Sequence, residues 1–292
     1  MSDPFRKALK NICSEISEIT RVDEHSKKVS LLDHTVLLVK SAIKDQDLTD
    51  IAMDSGISKS QISKLDTARP YQIFVEMFYS LIYPYIMAHN YSIYGRFLNI
   101  IGIDSTFIRT MVKGSGKYRR QKTENGIKMH QASVIFPFTI PLESLVTPAN
   151  LNDSPEFDQI LSGIDPSLLK QSILTFDLGY YDLDRFRNLK SESTMFVTRI
   201  KKNARYEVLR EYAHSKIIRF RNGLELRLVS LNVNGEQRNY LTDIMDMPDI
   251  YIHNIYRQRW SIEIFFRYDF IVRSEHLWDS LMMACEHPGG EG

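Results

Sequence analysis

Apolar residues follow a helical spacing through the first 95 residues and a strand-like spacing from about residue 97 onward. Within the helical stretch the run Leu48–Leu65 carries the sharper signal. One helix can close at Gly56, which takes a left-handed turn without a Cβ penalty, and a second can start at Ile57–Ser58. Ala52 is small enough for close approach, and Ile57, Ile62 and Leu65 can pack inward. This is the layout of a helix-turn-helix whose second helix would present Lys59, Ser60, Gln61, Ser63 and Lys64 to DNA. The same spacing also makes a plain helical hairpin with no DNA role. Arg69-Pro70 ends that helix, and an aromatic-rich one follows through Phe74, Phe78, Tyr79 and Leu81.

The second region reads as three strands, a helix, a strand, a helix and a strand. Phe97–Asp104 is an apolar run ending in an acid, and Gly126–Phe136 and Phe138–Val146 are further strands. A polar helix around Ser154–Leu161 precedes Ser172–Asp177, a second apolar run ending in an acid. A helix near Leu183–Leu189 leads to the strand Met195–Ile200. The alternation predicts a mixed α/β sheet. It is interrupted by short alternating strands, Ile217–Phe220, Leu224–Leu231 and Arg238–Leu241, joined at Asn222-Gly223 and Asn234-Gly235, the strongest short hairpin signal. An amphipathic helix from Asp249 to about Tyr268 completes the region.

Composition narrows this only a little. With 43% apolar and 25% charged residues among 292, the chain can bury a real core. Cys13 and Cys285 form no disulfide or metal pattern, which suits a reducing cytoplasm. No stretch approaches a membrane span and the start lacks a signal-peptide layout. The net charge of +1 weighs mildly against nucleic-acid binding. Distribution weighs the other way: Lys113, Lys117, Arg119, Arg120 and Lys122 form one basic run, and Arg199, Lys201, Lys202 and Arg205 another. Either run is a phosphate-facing patch or a solvated loop.

Asp104 and Asp177 each stand where an apolar strand gives out, so that carboxylates from neighbouring strands can converge. Hard cations such as Mg²⁺ take oxygen ligands of this kind and keep some water. On the last helix Tyr256, Arg259 and Glu263 lie at i, i+3 and i+7, on one stripe. Taken singly, each feature is also what a surface salt bridge or an ordinary strand end looks like. Their combination in this order carries the weight.

That combination resembles the DDE transposases of the insertion-sequence-four family. Gly102-Ile-Asp104-Ser-Thr106 resembles the first-aspartate motif. Phe176-Asp177-Leu-Gly-Tyr180 with Phe196-Val-Thr-Arg199-Ile-Lys201 is similar to the second block. Ile255-Tyr256-Arg-Gln-Arg259-Trp260-Ser-Ile-Glu263 is similar to the Tyr–Arg–Glu–Lys helix. The β meander before the glutamate and the N-terminal helical region are further shared traits. The resemblance implies a ribonuclease-H-like mixed sheet with an inserted β meander, preceded by an all-helical DNA-binding region. It also implies two Mg²⁺ or Mn²⁺ ions held by Asp104, Asp177 and Glu263, and phosphoryl transfer at element ends. Tyr256 and Arg259 would grip DNA phosphates. Arg267, Lys128 and His130 are further candidates, with Lys59, Gln61 and Lys64 from the helix-turn-helix-like segment.

The pattern departs from the family in one place. The family's lysine would stand at position 270, where this chain has Phe270; the nearest bases are Arg267 and Arg273. Beyond Arg267 the sequence no longer resembles the family, which points to a truncated or frame-shifted copy. The expected organisation is a helical region over 1–95 with the helix-turn-helix-like segment at 48–65, a catalytic core over 96–205, a meander over 206–246, a catalytic helix over 247–275 and a disordered tail over 276–292. The expected function is a cytoplasmic, prokaryotic insertion-sequence transposase that associates with the nucleoid when bound to DNA. It would act as a homodimer on terminal inverted repeats and target DNA. The alternative is an inactive remnant that occupies element ends or inhibits a full-length enzyme.

Overall fold

In the computed structural model, short polar side chains set the helix boundaries of the N-terminal region. The described residues are 3–23, 28–44, 46–88, 91–93, 96–109, 119–121, 124–136, 139–148 and 153–273. Contacts divide the chain into two units, Met1–His89 with Arg267–Gly292, and Asn90–Phe266.

The first unit holds α1 (Asp3–Thr20), α2 (Leu31–Lys44), α3 (Leu48–Ser55), α4 (Lys59–Ala68) and α5 (Tyr71–Ala88). The Asp47 carboxylate accepts from the N–H groups of Thr49 and Asp50, and Asp50 reaches back to the Asp47 N–H, a capping box that starts α3. Gly56 ends α3 at φ 69°, and the Ser58 hydroxyl accepts from the Gln61 N–H to start α4. This is the helix–turn–helix boundary expected at Gly56 and Ser58. Ile62 is buried, whereas Lys59, Ser60, Ser63 and Lys64 are exposed and Gln61 half-buried. Leu9, Cys13, Ile16, Leu31, Ile73 and Met77 make the core beside these helices.

The second unit holds β1 (Tyr91–Ile93), β2 (Arg96–Arg109), β3 (Arg119–Gln121), β4 (Glu124–Phe136) and β5 (Ile140–Pro148). Then come α6 (Glu156–Ser162), α7 (Pro166–Lys170), β6 (Ser172–Phe176), α8 (Leu183–Ser191) and β7 (Met195–Arg199). The meander follows as β8 (Tyr206–Glu211), β9 (Ser215–Phe220), β10 (Glu225–Val233) and β11 (Glu236–Thr242), and then come α9 (Asp249–Gln258) and α10 (Trp260–Arg273), the latter belonging to this unit as far as Phe266. β2 pairs antiparallel with β4 and β4 with β5, while β2–β6 and β6–β7 are parallel. The order β5-β4-β2-β6-β7 is the mixed sheet that the alternation predicted and the ribonuclease-H-like sheet that the resemblance implied, and β11 adds the meander to its β7 edge in antiparallel register.

Burial explains why this sheet holds. All five residues of β6 are buried, as a central parallel strand covered on both faces requires. Phe157, Phe176, Phe186 and Phe196 are fully buried and pack ring against ring between α6, β6, α8 and β7. Each such side chain removed from water stabilises the fold by about 1.5–3 kcal/mol. The hairpin turns form where Asn-Gly pairs stand: Gly223 and Gly235 both have φ 81°, and Asn234 has φ 53°.

Four sequence expectations need correction. β2 does not stop at Asp104 but runs on to Arg109, because β4 continues to pair with it through Arg109↔Gly126. Only the parallel ladder to β6 ends there, at Ile103↔Phe176. The meander has a fourth strand, β8, whose mostly exposed side chains lack an alternating signal. Between α6 and β6 lies α7, started by the Asp165 carboxylate accepting from the Ser167 N–H with Pro166 in the first turn. The last helix is two, α9 and α10, because the Arg259 N–H turns back to the Tyr256 carbonyl at i−3. Lys113, Lys117, Lys122 and the tail 276–292 lie outside the described residues.

Candidate active site

The end of the β2–β6 ladder gives Asp104 and Asp177 equivalent places, each the residue just past the last parallel pair. The peptide N–H of Ser105 donates to Asp104 Oδ1 at 2.9 Å. Asp177 caps the short 3₁₀ turn Leu178–Tyr180, its Oδ1 accepting from the Gly179 N–H at 2.8 Å. A Cβ on Gly179 would stand 3.0 Å from that oxygen and 3.5 Å from Asp153 Oδ2. Glycine therefore leaves room for two carboxylates to flank one backbone position.

The junction of α9 and α10 supplies the cation. Arg259 Nη1 donates to Asp104 Oδ2, and Arg259 Nη2 donates to Glu263 Oε1 at 2.6 Å. Arg259 and Asp104 side chains are each 14% exposed and Glu263 28%. The guanidinium lies 5.8 Å from the ring centre of Tyr256, which packs 5.2 Å from Tyr240 on β11. The inserted meander thus supports the aromatic stripe of α9. Arg199, at the end of β7, lies opposite Tyr240 in register and acts electrostatically on Tyr256.

Charge is out of balance here. Burial pushes the Asp104 carboxyl up to about 6, and Asp177 and Glu263 push the same way, while Arg259 and the Ser105 N–H oppose it. Burial alone would lower the Arg259 guanidinium, but Asp104, Tyr256 and Glu263 hold it above its ordinary value. Arg259 Nε is buried with no hydrogen-bond partner among the described residues. Two carboxylates thus share one guanidinium, with the charge of Asp177 acting on Asp104 beside them, and the guanidinium keeps a spare donor.

A second, neutral network stands behind the acids. Tyr180, buried in the 3₁₀ turn, bonds the Ser105 side chain and lies 3.3 Å from His130 Nδ1. His130 Nε2 meets Thr147 Oγ1 at 3.0 Å, and Lys128 Nζ donates to Asp153 Oδ1 at 2.7 Å. Burial lowers the His130 imidazole, with Lys128 acting the same way against Asp153. His130 is 0% exposed and both ring nitrogens are engaged, so it has no surface on which to meet a phosphate. That expectation is corrected: His130 braces Tyr180 behind the acids. Lys128 is half-buried and paired with Asp153.

The structure brings together Asp104, Asp177, Glu263, Arg259 and Tyr256. Arg267 follows Glu263 by one helical turn and is exposed, and Phe270 falls within α10. Lys59, Gln61 and Lys64 belong to the first unit, where Lys59 Nζ donates to Thr49 Oγ1 at 2.9 Å. Asp153, Ser105 and Thr147 went unread in the sequence. A lone acid in the loop after β5 has no periodic signal, and Ser105 and Thr147 matter only through partners distant in the chain.

Among the described residues no three His, Cys, Asp or Glu side chains stand close enough to hold a metal ion. The donor set nevertheless suits a hard cation. It is all carboxylate, it carries more negative charge than one guanidinium offsets, and Arg259 occupies the place between Asp104 and Glu263. Among the described residues no helix is long and apolar enough to cross a membrane.

A family model described as "Transposase DDE domain" matches residues 95–268, more than half the chain. No curated protein matches it.

Proposed function

The chain belongs to the transposase DDE domain family, whose substrate is DNA and whose members generally use divalent metal ions, and we propose that it is an insertion-sequence transposase of the insertion-sequence-four type that cleaves element ends and transfers the freed strand. The observation that carries this reading is the bridge from Asp104 through Arg259 to Glu263, beside Asp177 at the end of the same parallel ladder. Asp104, Asp177 and Glu263 would hold two Mg²⁺ or Mn²⁺ ions, which supply an activated attacking oxygen and charge stabilisation for the leaving 3′ oxygen.

The chain's own residues account for the rest. Arg259, with its planar fork and spare Nε–H, binds a phosphate of the DNA end, and Tyr256 stacks beside it. Arg267, exposed one turn further along, adds a phosphate contact that offsets the loss of the family's lysine at Phe270. Tyr180 and His130 keep the Asp104 and Asp177 backbones in register and exclude water from behind them. Lys59, Gln61 and Lys64 on α4 read DNA, with the phosphate-contacting cations setting orientation. Pairing of two element ends makes a homodimer on DNA the working assembly.

The test is Mg²⁺- or Mn²⁺-dependent nicking of a duplex carrying the element's terminal repeat, with Asp177→Ala as comparison. Nicking by the wild type and a loss of about 10³-fold or more in the variant is the expected result. Binding without nicking in the wild type would leave an inactive remnant that occupies element ends.

A further inference from the structure

We propose that Arg259 is a built-in substitute cation that competes with the divalent metal for Asp104 and Glu263, so that the metal-free enzyme is held closed and loads metal only when the guanidinium leaves. The inference rests on the metal-holding role given above to the three carboxylates and adds how their occupancy is controlled.

Its basis is geometric. The guanidinium donates through Nη1 to Asp104 on β2 and through Nη2 to Glu263 on α10, so it spans the strand end and the helix that must share a cation. A divalent ion bridging Asp104 Oδ2 and Glu263 Oε1 would stand where the guanidinium stands and repel its positive charge, so the two cations compete for these oxygens. The arginine is also incompletely satisfied there. Its Nε–H is buried with no acceptor among the described residues. Phosphate oxygens can accept from such a fork and relieve the deficit. Its backbone stands at the break between α9 and α10, where the hydrogen-bond ladder shifts to i−3, rather than inside an uninterrupted helix. In the arrangement shown, Asp177 is not bonded to the guanidinium; among the described residues its Oδ1 accepts from the Gly179 N–H. Asp177 is therefore the carboxylate at which a cation can first arrive.

The test is Mn²⁺ binding to the full DNA-free chain, followed by calorimetry and by the electron-spin resonance of the free ion. The proteins compared are the wild type, Arg259→Gln, Arg259→Lys and Asp177→Asn. Arg259→Gln removes the competing charge and is expected to bind Mn²⁺ at least tenfold more tightly than the wild type. Arg259→Lys keeps the charge but loses the two-pronged grip, and is expected to gain severalfold; it carries the test if the glutamine variant does not fold. Asp177→Asn is expected to weaken binding in either background. Unchanged or weaker Mn²⁺ binding in both arginine variants, with Asp177→Asn still weakening it, would overturn the competition and leave the carboxylate reading standing. Absence of Asp177-dependent Mn²⁺ binding in the wild type and both arginine variants would overturn the metal reading and the competition together.

Discussion

Two buried arginines of the second unit do opposite work with the same side chain. Arg227 on β10 donates to the carbonyls of Ile244, Met245 and Met247 and to the Asp249 carboxylate, which ties the meander to the first turn of α9. Among the described residues Arg259 has two carboxylate partners, no carbonyl acceptor and an unpaired Nε–H. Carbonyl acceptors are neutral and fixed in the backbone, and the Asp249 carboxylate balances the guanidinium, so the Arg227 site asks for no further charge. The Arg259 site holds acids from separate elements with more negative charge than the arginine neutralises. A satisfied arginine marks a joint, and an unsatisfied one among acids marks a place where another charge belongs.

The sharpest way to break this contrast is to remove each arginine and follow both activity and stability. Arg259→Gln is expected to lower metal-dependent nicking by about 10²-fold, the scale of losing one preorganised charged donor, even while it binds Mn²⁺ more tightly. Unimpaired nicking would make Arg259 a joint like Arg227. Arg227→Ala is expected to lower the unfolding free energy by about 2–3 kcal/mol in urea titration, because it strands Asp249 and several buried carbonyls. Nicking per folded molecule should be unchanged. An activity loss larger than the loss of folded protein would show that the meander joint tunes the site.

The smallest effect concerns Asp243, which precedes the carbonyls that hold Arg227. Burial pushes its carboxyl up to about 6, although it accepts from the Phe196 N–H at 2.9 Å. The folded state therefore keeps a proton between about pH 4 and 6 that the unfolded chain has released. Unfolding releases that proton, so stability falls as pH rises through this window and levels off above it. Asp243→Asn, which cannot ionise, should match the wild type near pH 4 and exceed it by about 1–2 kcal/mol at pH 7. Parallel melting curves across that range would show that the carboxylate is not strained by burial.

Much of the fold was legible because it rests on local rules. Gly56 and Ser58 mark a helix boundary by backbone freedom and capping, and Asn222-Gly223 and Asn234-Gly235 mark hairpins by turn chemistry. The apolar runs before Asp104 and Asp177 mark strands covered on both faces. The exposed strand β8 was missed because solvent on both faces imposes no alternation. For the site, position was legible and pairing was not. The spacing of Tyr256, Arg259 and Glu263 put them on one stripe, but Arg259 stands 155 residues of chain from Asp104, a gap that only the folded sheet closes. His130 stood among the candidates for phosphate contact because a polar residue on a strand has two faces to choose between. The structure gives it the buried one, where Tyr180 and Thr147 satisfy both nitrogens.

Local sequence sufficed for most of the element order and for the turns at Gly56, Asn222-Gly223 and Asn234-Gly235, since these follow from backbone preference and periodicity within a few residues. It took the packed fold to make β2 run past Asp104 while its parallel ladder stops there, to bring Asp153 beside Gly179 and Asp177, and to place Arg259 between Asp104 and Glu263. Each of these is a relation between groups far apart in the chain. Such relations are set by how the sheet and helices pack and by where charge can be neutralised once water is removed.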